Sequence, residues 1–158
     1  MSFLRFFMLL SLVVWLGAII FFAFVVAPTL FSVLPTRHLA GLVVTRSLTA
    51  LHWMGIVSGL AFAGSSMAYS RLTVGAAHPF SAKHVLVYLM LLLTLISQFG
   101  ITPRMHALRT SIGEIDSVPL DNPARVQFDA LHVWSTRLEG GVFLVALIVL
   151  YLTARQFT

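Results

Sequence analysis

Residues 6–36 read FFMLLSLVVWLGAIIFFAFVVAPTLFSVLPT, a stretch without a single ionisable side chain. A hydrocarbon core of about 30 Å is crossed by about 20 helical residues. This stretch exceeds that need, and no soluble surface could carry it. The short basic N-terminus before it, ending at Arg5, resembles the start of a secretory signal. Signal h-regions, however, run only about 7–15 residues, and no small-x-small cleavage site follows at the expected place. The stretch is therefore read as a retained first membrane span.

The rest of the chain repeats the pattern. Of 158 residues 59% are hydrophobic and 9% charged, with a mean hydropathy of +0.97. A soluble domain carries roughly a quarter of its residues as charges, so lipid must replace water over most of the exterior. The net charge of +5 does not indicate nucleic acid, because the basic residues flank apolar runs instead of gathering on one face. Cysteine is absent, which excludes disulfides, thiolate metal sites and cysteine nucleophiles.

Charges divide the sequence into four apolar stretches, 6–36, 47–70, 84–103 and 140–154. The last is too short, roughly 22 Å at the α-helical rise. The fourth span must therefore recruit residues before Gly140, which draws Glu139, and Arg137 with it, toward the hydrocarbon. Spans are expected over approximately 6–34, 42–69, 82–104 and 131–154, within a single four-span domain covering 1–158. Thr36 and Ser81 are candidate N-caps. Asn122-Pro123 is a start signal for the last helix, with proline at the first helical position. Short loops imply up-down-up-down connectivity. The fold expected is thus an all-α integral membrane four-helix bundle, with helices protruding on the side of the first and third loops. The segment 110–122, with Gly113 and Pro119, is the one long polar connection. Six arginines on the protruding side (37, 46, 104, 109, 125 and 137) face four basic residues on the other. That excess favours loops 35–46 and 105–125 in the cytoplasm.

Counting inward from the charges on the far face assigns a depth to each polar residue. His52, Arg104, His132 and Pro28 fall in one layer at the protruding interface; Gln98, Glu139 and Gly55 fall one turn deeper. His132, Ser135 and Glu139 lie at i, i+3 and i+7, on one helix face. A carboxylate and imidazoles are costly against lipid, so these faces should look inward. A candidate ligand-binding site follows: His52, Gln98, Arg104, His132, Ser135 and Glu139. Each also has a purely structural reading, as an interfacial histidine, a helix-bridging amide or a charge pair with Arg137 or Arg104. Gly55-x-x-x-Gly59 suits close helix approach, and Pro28 and Pro103 suit bends. Trp15, Trp53 and Trp134 suit packing or interfacial anchoring.

Imidazoles with a carboxylate are chemically competent for zinc, iron or copper, which makes His52 and His132 the candidate metal ligands. The same pair could hold haem b between two helices. No short His-x-x-His or His-x-x-x-His pair exists, so neither a haem nor a transition metal is required by the sequence. No nucleotide loop, nucleophile elbow or zinc-protease motif is present.

Several short motifs, in order, resemble a known family. They are Trp15-Leu16-Gly17 with Phe21 to Pro28, then Leu34-Pro35 with Leu39-Ala40-Gly41. Thr102-Pro103-Arg104-Met105 follows with Leu108-Arg109, then Phe128 with Leu131-His132 and Ser135. Together they resemble the transmembrane protein 205-like family over nearly the whole chain. The resemblance implies a four-span domain largely without assigned activity. It also implies a link to metal resistance, since the vertebrate member is associated with resistance to platinum drugs, and it directs attention to Pro103, Arg104, His132 and Ser135. One departure is that the family commonly carries Asn after the His-x-x-Ser motif, near the position of Glu139. A bridging amide is replaced by an acid.

Three functions fit these residues. The first is a non-enzymatic membrane protein that binds or moves a small ligand or metal ion at the polar end of the bundle, as a homo-oligomer if it transports. The second is an accessory subunit of a larger membrane complex, which the Phe-rich first helix would suit. The third is a haem-binding oxidoreductase.

Overall fold

Where four apolar stretches must each satisfy their own backbone in hydrocarbon, helices are the only open-chain solution. The computed structural model describes residues 2–156. It holds four long helices: α1 Ser2–Val33, α2 Arg37–Val74, α3 Ala82–Ile112 and α4 Pro123–Ala154. All four are long and apolar enough to span a bilayer, and no strand occurs among the described residues. The chain is an all-α, integral, multi-pass membrane bundle. Each helix packs on its neighbours in sequence, and α1 closes the ring against α4. Consequently α2 and α4 stand diagonally opposite.

The boundary signals act as their chemistry requires, with one exception. Thr36 accepts from the Leu39 backbone N–H at 3.2 Å, and Asn122 accepts from that of Ala124 at 2.9 Å. Ser81 occupies the N-cap position of α3 with extended backbone, but its hydroxyl caps no N–H. It meets His84 Nδ1 at 2.7 Å instead, because a ring nitrogen three residues on competes for the same oxygen. Gly75 (φ 76°) ends α2 in the left-handed region that glycine adopts without steric cost. The helix of α3 runs on to Ile112, three residues into the polar connection, before Gly113 and a short 3₁₀ turn at Ile115–Ser117.

Two helices share a second irregularity. In α1 residues Phe22–Val26 form a π-turn, in which Ala27 N–H bonds the Phe22 carbonyl. In α3 residues Ile96–Ile101 do the same, with Thr102 N–H bonding the Ser97 carbonyl. Each turn immediately precedes an X-Pro pair, Ala27-Pro28 and Thr102-Pro103. Proline lacks an N–H and its ring collides with the carbonyl four residues earlier. Widening the preceding turn by one residue relieves that collision.

The tightest packing lies in the half of the bundle nearer Arg5. Met8, Leu12 and Trp15 of α1, Phe62 of α2, Val87 and Met90 of α3, and Val142 and Val149 of α4 form a continuous buried core. Trp15 lies in a groove of α2 left by two glycines. A Cβ at Gly55 would collide with the indole Nε1, and one at Gly59 would come within 2.8 Å of the same ring and 2.7 Å of Leu91. The outer surface is apolar as lipid demands: Phe3, Phe24, Trp53, Val57, Leu60, Trp134 and Leu144 are all exposed. The rim beyond this core is held by polar clasps. Arg5 donates twice to Tyr69 Oη, at 2.6 and 3.1 Å, and Lys83 Nζ donates to Gln156 Oε1 at 2.6 Å.

Overpacking at a tight contact costs about 1–3 kcal/mol, and truncating a buried Trp about 3–5 kcal/mol. Gly55→Ala and Gly59→Ala are therefore expected to lower stability in detergent. Most of the Gly55→Ala loss should vanish in a Trp15→Ala background. Thermal unfolding of the four variants measures this coupling; additive losses would contradict the groove.

Candidate functional site

At the opposite end, towards the first and third loops, the four helices part around a cavity of about 470 Å³. Its size lies within the range typical of small-molecule sites. The walls are mostly apolar, with Ile19, Phe22 and Phe31 from α1, Leu48 and Leu51 from α2, Met105 from α3 and Phe128 from α4. Beyond its π-turn, α1 keeps its packing on α2 but meets α4 only marginally. Few α1–α4 contacts therefore close the cavity on that side.

The floor is polar. His52 is fully buried, and both ring nitrogens are engaged: Nδ1 with Gln98 Oε1 at 2.7 Å and Nε2 with Glu139 Oε1 at 2.6 Å. Since the Gln98 carbonyl oxygen can only accept, Nδ1–H is the donor there. Nε2 and the carboxyl group satisfy one another's hydrogen bonding, which is what allows two ionisable groups at this depth. Three helices meet in this contact, and it spans the diagonal between α2 and α4. Glu139 retains 18% of its side-chain exposure and lines the cavity, so the pair is reached through its carboxyl group.

The six residues singled out from the sequence are thus only partly united. His52, Gln98 and Glu139 are joined by hydrogen bonds. His52 lies one turn deeper than counting from the charge at the far end of its helix suggested, a slip that ordinary helix tilt produces. Glu139 pairs with His52 and with neither Arg137 nor Arg104; the Arg137 guanidinium lies over Trp134, 5.4 Å from its ring centroid. Ser135 and His132 line the same cavity wall as Glu139, Ser135 buried and His132 exposed towards the mouth. Arg104 is exposed and is not part of the cavity. Depth alone put it there; its helical phase does not. Thr102, Met105 and Arg109, at i, i+3 and i+7, form the α3 face that lines the cavity.

The residue that sequence reasoning missed is Arg109. It is 7% exposed, and its Nη1 donates to the Gly41 carbonyl at 2.6 Å and to Thr45 Oγ1 at 2.8 Å. Its guanidinium carbon lies 5.2 Å from the Phe128 ring centroid. Gly41 is where it must be, since a Cβ there would stand 2.7 Å from Arg109 Nη2. The signal was available: Arg109 lies eleven residues after Gln98, three helical turns on and nearly the same phase.

Of the two candidate metal ligands, His52 is buried and His132 is exposed on the cavity wall. His52 has no free ring nitrogen without breaking a bond to Gln98 or Glu139. Among the described residues no group of three or more His, Asp or Glu side chains is placed to hold a metal ion.

Compared with known protein families, residues 10–114 match the one described as a domain of unknown function, DUF4149. The chain belongs to the DUF4149 family. The resemblance seen in the sequence, to a four-span membrane family without assigned activity, therefore holds at that level. The DUF4149 match takes in His52, Gln98 and Arg109; α4, with His132, Ser135 and Glu139, lies beyond the matched residues. No curated protein and no solved structure matches the chain.

Removing one partner of a buried ionic pair costs about 3–5 kcal/mol because the other is stranded. His52→Ala should accordingly destabilise the bundle strongly in denaturant titration. Glu139→Gln should cost far less, about 1 kcal/mol, because its amide can donate to Nε2. Equal losses would show that charge is essential at the floor.

Proposed function

We propose that this protein binds a small, largely apolar ligand inside the membrane, in the cavity above the His52–Glu139 pair. The observation that carries this reading is the combination of a 470 Å³ apolar-walled space with a few converging polar groups at its floor. A bundle that needed only to fill its interior would close this end as it closes the other. The floor is built to recognise: Glu139 presents a partly exposed carboxyl edge while its other demands are met by His52, and Ser135 adds a hydroxyl one turn away. The hydrogen-bonded imidazole and carboxyl group together offer a ligand both donor and acceptor capacity. No covalent step is needed, and the reading is of a binding protein or carrier, not an enzyme. The excess of arginines at this end favours a cytoplasmic mouth.

Native mass spectrometry of protein extracted in mild detergent is expected to show a small molecule that survives detergent exchange. Ala27→Trp, which fills the cavity from the α1 wall, should abolish it, whereas Val57→Trp on the lipid face should not. Identical spectra for both variants would remove the proposal. Orientation has its own check, because the chain lacks cysteine. Ser117→Cys in sealed right-side-out cells should resist an impermeant maleimide until the membrane is opened, and immediate labelling would reverse the assignment.

A further inference from the structure

The cavity's mouth differs in chemistry from its floor. Arg37, Arg109 and Arg125 line it, against the carboxylates of Asp129 and Glu139, the second of which is already paired with His52. Two of these arginines are incompletely satisfied. Arg109 is more than nine-tenths buried, yet its Nε–H has no hydrogen-bond partner. Arg125 donates through Nη1 to the Val118 carbonyl, while its buried Nε–H also lacks a partner. Neither makes an ion pair among the described residues. A guanidinium carries five N–H donors and cannot be deprotonated in a protein. Burying one against a carbonyl, a hydroxyl and a phenyl ring leaves its charge uncompensated, a costly arrangement unless an anion completes it.

Depth and shape limit what that anion can be. From Lys83, Arg109 stands about 39 Å along α3, and from Arg155, Arg125 stands about 45 Å along α4. Both lie beyond a hydrocarbon core of about 30 Å, at the level of lipid head groups. Below them the walls are Phe128, Met105, Leu48 and Phe22. Few contacts close the wall between the second half of α1 and α4. We infer that the mouth is an anion subsite, and that the ligand is an acidic amphiphile. Its carboxylate or phosphate head is held by Arg109 and Arg125, and its apolar body descends into the cavity from the surrounding lipid. This rests on the cavity-binding reading above and names the ligand class for it.

The guanidinium of Arg109 also ties α3 to α2, so Arg109→Gln could simply unfold the protein. Arg125→Gln and Gly41→Ala avoid that difficulty. The first removes one donor set, and the second keeps the charge but displaces the Arg109 guanidinium. Binding of palmitate, palmitoyl-lysophosphatidate and the neutral monopalmitoylglycerol is measured on the full chain in phosphatidylcholine nanodiscs, with inorganic phosphate as competitor. The two acids should bind about tenfold more tightly than the neutral lipid, and each variant should erase most of that preference. Neutral binding should stay unchanged. Equal affinity for acid and neutral probes, unaltered by either variant, would overturn the anion subsite and leave the cavity reading standing. Binding of inorganic phosphate that competes fully with palmitate would overturn the amphiphile assignment. No binding of any probe, with Ala27→Trp indistinguishable from wild type, would overturn both.

Discussion

A carboxylate left alone near hydrocarbon is too costly to keep, and the way Glu139 escapes that cost organises this end of the bundle. α4 has too few apolar residues after Gly140 to cross the membrane, so Glu139 must enter. Its partner comes from α2, the helix diagonally opposite, and Gln98 of α3 fixes the ring that reaches it. Diagonal helices in a four-helix ring do not pack directly. Something must bridge them, and here the bridge is a hydrogen-bonded imidazole. Above it the diagonal is unbridged, and the space becomes a cavity. The same bond that makes an acid tolerable therefore sets the depth at which the interior opens.

Proline placement works towards the same result from the other two helices. Pro28 and Pro103 follow π-turns in α1 and α3, the alternate members of the ring. In α1 the segment beyond the π-turn stays against α2 while drawing away from α4. A straight helix with an alanine in place of Pro28 would have no reason to change course there. The closed half of the molecule behaves oppositely. Trp15 fills the only groove that Gly55 and Gly59 leave, the core beneath it is continuous, and the rim is clasped by Arg5–Tyr69 and Lys83–Gln156. Access from that side is blocked by packing.

The architecture was legible in the sequence because lipid solvation imposes a coarse rule that composition obeys. Uncharged runs gave the helices, and Thr36 and Asn122 marked two of the starts correctly because capping depends only on local chemistry. The floor was legible for a related reason. Only inward faces tolerate ionisable groups, so His52, Gln98, Ser135 and Glu139 had to converge, and the i, i+3, i+7 spacing fixed the face on α4. What failed was the choice of arginine. Arg104 had the right depth but the wrong phase, and Arg109 had the right phase but a depth that counted as outside. The π-turns had no signal beyond the X-Pro pairs themselves, and the cavity had none at all. It is a property of how four helices diverge, which no single helix encodes.

The motif resemblance leads one to expect an asparagine near Glu139, able to bridge helices but not to carry charge. A longer acid reaches His52 across the diagonal at 2.6 Å and still presents an edge to the cavity. A glutamine amide of the same length would still hold the helices together, at a cost of about 1 kcal/mol, because His52 Nε2 can accept its N–H. What an amide could not do is share a proton with the imidazole. If helix bridging were the whole requirement, the acid would add desolvation cost without return. Its carboxyl stands where the buried pair meets open space, and on the proposed reading that position ties the stability of this end to recognition inside the cavity.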